Sequence, residues 1–500
     1  LMKSNKLGIM IFFTFLLMMF VPGSYGFDFS EIEKTVTQTT LDNGLRVIIM
    51  ERHEAPVVSF ITFANVGGAN DPKEYTGLAH MFEHMAFKGT TTLGTKDIDR
   101  ELKLMQVEDS IFYELRAERK KGKQADSTRL AELEKAFQDA IDAAGELVVP
   151  NAFDQILESE GSAMLNAGTG MDQTMYITNL PSNKVELWMA MESERFYKPV
   201  LREMYRERNV IAEERRQTLE NSPIGRTIDE LKSTAFTAHP YGISIVGHMS
   251  DIQNYTRDAA KAYYEKYYVP SNLIISIVGD VNPKEVIELA KKYWSRIPYK
   301  PAPEALATVE PEQKGERRVE LSDPSQPLFG AAWHIPSATD PDWPAIEAMM
   351  DYLGQGRTSL LYKNLVKEKK IAANVGAFPG YPGNKYPCLA LVYAMPSAEH
   401  TNEECEEQIF NEIEKLKTEL LPVEEVEKIK ARAKASLING LTNNMGMAMQ
   451  LAMYWQQFGD WRQLFKELDR INAVTPEDIK RVAEKYFTKD NRTVAKLNTI

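Results

Sequence analysis

Three side chains within five residues are the part of this sequence best equipped for chemistry: His80, Glu83 and His84. They stand in Tyr75-Thr-Gly-Leu-Ala-His-Met-Phe-Glu-His-Met-Ala-Phe-Lys88 and spell H-x-x-E-H. On a helix, residues four apart lie one above the other, so His80 and His84 would share a face. Two imidazoles in that relation can hold two corners of a zinc tetrahedron, where Zn–N bonds are about 2.0–2.1 Å. Glu83, beside the second imidazole, is then close enough to take a proton from a water that the metal acidifies. The order is the reverse of the commoner H-E-x-x-H. Histidine is scarce, seven in 500 residues, so two at helical spacing beside a glutamate are informative. A metal-free helix with two packed histidines is the competing reading. A catalytic zinc site uses three protein ligands, and a carboxylate on a neighbouring helix is the natural third.

Elements that could position the motif surround it. Leu45-Arg-Val-Ile-Ile-Met-Glu51 and Val57-Val-Ser-Phe-Ile-Thr-Phe63 read as strands rich in β-branched and aromatic residues. Gly67-Gly68 and Asn70-Asp-Pro72 lead into the motif helix, with Thr76 expected as its cap. Residues 96–145 are dense in Glu, Lys, Arg and Ala, with Gly122 in their middle, and read as a charged helical hairpin. Its charge is that of a solvated face. Leu165-Asn-Ala-Gly-Thr169 and Gln173-Thr-Met-Tyr-Ile-Thr178 follow as a strand pair, then helices over 183–196 and 203–219. The second of these contains Glu207-Arg-Asn-Val-Ile-Ala-Glu-Glu214.

Five hundred residues exceed what one hydrophobic core organises, and 43% hydrophobic with 26% charged residues is a folded globular composition. A formal charge of −12 argues against nucleic acid as a partner. Lys3 and Lys6, the apolar run 7–20 and small residues up to Gly26 have the form of a cleaved secretory signal over 1–26. That run is short for a membrane span, so no stable span is expected once it is removed. Export, most simply to a bacterial periplasm, follows. The two cysteines, Cys388 and Cys405, could pair or stay as separate packed thiols.

The second half echoes the first. Asp478 to Phe487 with Asn491-Arg-Thr-Val-Ala495 matches Asp258 to Tyr267 with Asn272-Leu-Ile-Ile-Ser276. The strand 328–334 leading into Trp343-Pro-Ala-Ile-Glu-Ala-Met-Met350 parallels the strand 57–63 leading into the motif helix. Corresponding runs in the same order imply an internal duplication. The expected fold is α+β, with two homologous domains, each a mainly antiparallel sheet covered by helices. The first spans 35–298 and carries the hairpin at 96–145; a Pro-containing linker, 299–316, leads to a second, non-catalytic domain at 317–500.

Gly77-Leu-Ala-His-Met-Phe-Glu-His84, Asn166-Ala167, Glu207 to Glu214, His239-Pro-Tyr241 and the repeat together resemble the pitrilysin/insulinase-type metallopeptidases, whose H-x-x-E-H is the inverzincin signature. In size the chain is similar to the processing-peptidase-like members. The resemblance implies a third ligand seven residues after the first Glu of E-R-x-x-V/I-x-x-E. That position is Glu214; Glu213 becomes a surface carboxylate, and Glu207 supports the site. It also implies one zinc ion per chain, Glu83 as the general base, and substrate binding along Asn166, Ala167, Gly168 and Thr169 by strand addition. The hairpin at 96–145 resembles an insertion, which lengthens the gap from His84 to Glu214 beyond the family's usual one.

Many active family members carry an Arg and, seven residues later, a Tyr in the second domain. Aligned by Leu365, these positions are Val366 and Ala373, and neither side chain can donate a hydrogen bond. The implied partner is a related zinc-free subunit that supplies Arg and Tyr in a heterodimer, with a homodimer as the alternative. The function expected is an exported zinc endopeptidase subunit that hydrolyses extended peptides or unfolded segments in a two-subunit chamber. The alternative is a non-catalytic core or assembly subunit of the same fold.

Overall fold

A computed structural model describes residues 29–500, so the expected signal at 1–26 lies outside the described residues. The chain is mixed α and β and is built around two sheets. Strands β1 (Val36–Thr40), β2 (Arg46–Glu51), β3 (Val57–Ala64), β4 (Ala163–Thr169), β5 (Thr174–Pro181) and β6 (Leu273–Gly279) form the first, in the order β1-β2-β6-β3-β5-β4. Strands β7 (Arg317–Asp323), β8 (Leu328–Ile335), β9 (Ala372–Tyr381), β10 (Cys388–Pro396) and β11 (Arg492–Thr499) form the second, in the order β7-β11-β8-β10-β9. One pair in each is parallel, β2 with β6 and β7 with β11, and the other pairs are antiparallel. The second sheet therefore repeats β2-β6-β3-β5-β4 strand for strand, and β1 is an addition to the first. The likeness reaches side chains. Asn272 Nδ2 donates to the carbonyls of Asn65 and Tyr267, and Asn491 Nδ2 donates to those of His334 and Tyr486.

Strand composition follows burial. Every residue of β6, Leu-Ile-Ile-Ser-Ile-Val-Gly, is buried, as expected of a strand covered on both faces. On one face Val47, Ile49, Val58, Phe60, Ile275 and Ile277 pack with the motif helix and with Trp188 and Trp294. On the other, Ile48, Ile61, Phe63 and Ile274 pack against Leu441, Met447, Leu451 and Trp461. Those covering residues belong to the C-terminal half. Conversely Leu231 and Ala235, on the helix Pro223–Ala235 of the first half, join the core of the second sheet. Each half thus lends helices to the other's sheet, and neither sheet is closed by its own half alone.

The charged segment is a hairpin of two long helices, Ile98–Arg119 and Ser127–Gly145, with Gly122 at a positive φ in the turn between them. Cys388 and Cys405 are buried free thiols, so the separate-thiol alternative holds. Among the described residues, no helix is long and apolar enough to cross a membrane.

Candidate metal centre

The motif folds as a two-turn helix, Leu78–Met85, that buries Leu78, Met81, Phe82 and Met85 in the core of the first sheet. That choice of face turns the other one, with His80, Glu83 and His84, toward the helix Met204–Arg215. Thr76 does not cap the motif helix. Its hydroxyl donates to Asp251 at 2.6 Å, and Asp71 accepts from the backbone amides of Gly77 and Ala79 at 2.7 and 2.8 Å. The reason is the backbone at Gly77, which sits at φ 89 and breaks the geometry a Thr76 cap needs. An added Cβ there would lie 2.5 Å from the Tyr255 hydroxyl, so the position takes only glycine.

His80, His84 and Glu214 converge, with one ligand atom from each lying within 4.8 Å of the others. Glu214 Oε2 is 3.7 Å from His80 Nε2 and 4.0 Å from His84 Nε2. A tetrahedron with zinc-like bond lengths has edges of about 3.4 Å, so small side-chain shifts would close it on an ion. Two imidazoles and one carboxylate also match the donor set of a catalytic zinc site, with a fourth position left open. Among the described residues no other His, Cys, Asp and Glu group has this geometry. Glu213, by contrast, is half exposed and pairs with Arg216 at 2.9 Å.

The surroundings set the state of each ligand. Burial, reinforced by the neighbouring His84 charge, lowers the His80 pKa to about 4, which keeps its imidazole neutral. His84 is shifted upward, chiefly by the bond between its Nδ1 and Glu207 Oε2 at 3.1 Å. That contact fixes the proton on Nδ1 and leaves the Nε2 lone pair facing Glu214. Burial disfavours the ionised form of Glu207, but bonds from His84 and Lys88 outweigh it and hold the carboxyl below its usual range. Lys88 Nζ lies 2.6 Å from Glu207 Oε1. Glu207 thus supports His84 rather than entering the ligand triangle.

Among the described residues, the strand β4 lies at the edge of the first sheet, hydrogen-bonded only to β5. Asn166 is exposed, Ala167, Gly168 and Thr169 are half-buried, and the outer edge of the strand is unpaired. Thr169 does more than line this edge. Its hydroxyl donates to Glu83 Oε2 at 2.5 Å, a contact with no counterpart in the sequence pattern. Thr174, which donates to the Val66 carbonyl at 3.0 Å, lies 3.4 Å from the same Thr169 hydroxyl, a longer contact than the one to Glu83. The β4–β5 turn is anchored through Asp172, which accepts from Tyr241 and from the backbone amides of Asn384 and Lys385 in the second half. In that half, Val366 packs against the second core and Ala373 is exposed on β9.

Two profiles of one peptidase family match this chain. The profile described as insulinase, peptidase family M16, covers residues 46–114 and 148–248, and that of the peptidase M16 inactive domain covers 254–433. The chain belongs to the M16 (insulinase) peptidase family. Its M16 match passes over 115–147, the far part of the hairpin. Among M16 relatives, the zinc protease PqqE of Helicobacter pylori is 28% identical over 467 residues, spanning 91% of this chain and 90% of that protein. A probable mitochondrial-processing peptidase subunit beta of Arabidopsis thaliana is 25% identical over 468 residues, 90% of this chain and 76% of that one. The crystal structure of a protease from Helicobacter pylori superposes with a TM-score of 0.77 at 26% identity, covering 93% of this chain and 99% of the other.

Proposed function

We propose that this chain is the metal-bearing subunit of an exported zinc endopeptidase acting on extended peptides. The observation that supports it most is the convergence of His80, His84 and Glu214 beside Glu83 and an unpaired sheet edge. The H. pylori relative named a zinc protease favours zinc as the metal. Bound by the three ligands, zinc would supply Lewis acidity and bring the pKa of a water toward about 7. The protein's own residues do the rest. Main-chain groups along Asn166 to Thr169 align an extended segment by strand addition. Glu83 accepts the proton of the attacking water and returns it to the leaving amine. Thr169 holds one oxygen of Glu83 and leaves the other free for that transfer. Glu207 keeps His84 in the ligating tautomer.

Val366 and Ala373 stand where many active members have Arg and Tyr, so a related zinc-free subunit is proposed to supply those donors. One missing oxyanion donor costs about 10²–10³ in rate. Export rests on the Lys-flanked apolar run 7–20 and the small residues before Gly26. The test is hydrolysis of an extended fluorogenic peptide by this chain, alone and with the related subunit. Activity lost to a chelator, restored by zinc and raised at least tenfold by the partner is expected. Full activity in metal-free protein would overturn the reading, and full activity of the lone monomer would remove its heterodimer part.

A further inference from the structure

The hairpin and the helix Met204–Arg215 enclose a cleft that the peptidase reading leaves without a role. Three described arginines are buried: Arg195, Arg202 and Arg208. Arg195 meets Glu192, and Arg202 meets Glu101 at 2.8 Å together with three backbone carbonyls. Among the described residues, Arg208 meets no carboxylate. Its guanidinium lies among the rings of Phe112, Tyr205 and Phe137, at 4.7, 5.2 and 5.6 Å, and donates one long bond to the Gln253 carbonyl at 3.4 Å. The rings offset part of the cost of burial, and the guanidinium faces the cleft with its charge unpaired by any carboxylate. Burial, with the Arg119 charge nearby, pulls the Arg208 pKa down to about 10.

The space in front of this cation is shaped for a counter-ion. A cleft of about 300 Å³ is lined by Arg119, Arg208, Asn209, Ala212, Ile252 and Gln253. A second lobe of about 170 Å³ shares Arg119, Arg208 and Asn209 and adds Glu134 and Gln138. The one carboxylate there, Glu134, is already paired with Arg119 at 2.8 Å, and both side chains are about half exposed.

We propose that this cleft is a binding site for a small oxyanion, carboxylate or phosphate, held between Arg119 and Arg208 with amide donors from the polar wall. The bound anion supplies the counter-charge that Arg208 lacks. It also ties the hairpin to the helix that carries Glu207 and Glu214. Arg119, Glu134 and Gln138 all lie in 115–147, the stretch of the hairpin passed over by the family profile. Nothing in it depends on the peptidase reading.

Inorganic phosphate is titrated with the full chain at constant ionic strength in sodium chloride, and binding is read from saturable broadening of the ³¹P resonance. Arg119→Gln is expected to weaken binding about tenfold, the scale of one charged hydrogen bond. Glu134→Gln, which removes the competing carboxylate, is expected to tighten it. Glu214→Gln should leave it unchanged, which separates this site from the metal centre. Both arginine-cleft substitutions are on the exposed hairpin, so the test does not require an Arg208 variant to fold. Displacement by succinate below the concentration needed for sulfate assigns a carboxylate ligand; the reverse order assigns a phosphate, and either supports the site. No saturable broadening, or equal affinity in wild type, Arg119→Gln and Glu134→Gln, overturns it.

Discussion

Glu207→Gln separates a supporting role from a ligating one. The native carboxylate accepts from His84 Nδ1 at 3.1 Å and pairs with Lys88 Nζ at 2.6 Å, in a side chain only 13% exposed. Glutamine keeps the shape but removes the charge, so the bond to His84 loses its ionic strength and its hold on the Nδ1–H tautomer. Lys88 keeps a weaker partner in Glu203 at 3.5 Å, which limits collateral damage to the fold. Loss of such a partner to a metal-binding histidine typically costs 10–100-fold in metal affinity. That is about 1.4–2.7 kcal/mol. The assay is zinc competition against a chromogenic chelator at neutral pH. Glu213→Gln is the control, since Glu213 contacts only Arg216 and Gln217 on the surface. A tenfold or greater loss in Glu207→Gln with no change in Glu213→Gln is expected. Equal affinities in the two variants would refute the tautomer argument.

Thr169→Val should lower kcat about tenfold, the order of one hydrogen bond to a charged group, with KM nearly unchanged, and Thr169→Ser should restore it; a rise in KM alone would make Thr169 a substrate contact. Asp342 receives bonds from Arg481, Lys485 and Tyr486 at 2.6–2.8 Å; burial opposes its ionisation, yet these partners hold it well below 3.8. A depressed folded pKa gives stability that is present above the unfolded value and lost as pH falls. Asp342→Asn should therefore cost about 2 kcal/mol at pH 7, with the gap to wild type closing below pH 3.8 in urea titrations; a constant gap would count against it. Leu451→Ala, at a fully buried position where the C-terminal half covers the first sheet, should cost about 2–5 kcal/mol. It should also loosen the first sheet in hydrogen exchange, whereas protection changes confined to residues beyond 317 would contradict the exchanged-helix arrangement.

Much of this architecture could be read from residues. The periodicity of Leu78 to Met85 places the two histidines on one face, whereas the choice of Glu214 over Glu213 comes from the family resemblance. The echo of Asn272 in Asn491 announces the repeat because both asparagines tie a helix end to a neighbouring strand. Other features were hidden for physical reasons. The cap of the motif helix comes from Asp71 across a turn, and a fixed offset before the helix points to Thr76 instead. The Thr169 contact to Glu83 joins groups 86 residues apart and leaves no trace in local pattern. Likewise β1, Val-Thr-Gln-Thr-Thr, is a half-exposed addition whose polar composition carries little strand signal. The exchange of covering helices depends on tertiary packing that strand and helix periods do not encode.

The central claim is that Glu83 moves the proton while His80, His84 and Glu214 hold the metal. Glu83→Gln tests it most directly, with zinc content by mass spectrometry and peptide turnover measured on the same preparation. The expected result is one zinc per chain and turnover reduced at least a thousandfold. Turnover retained with zinc bound would contradict the account.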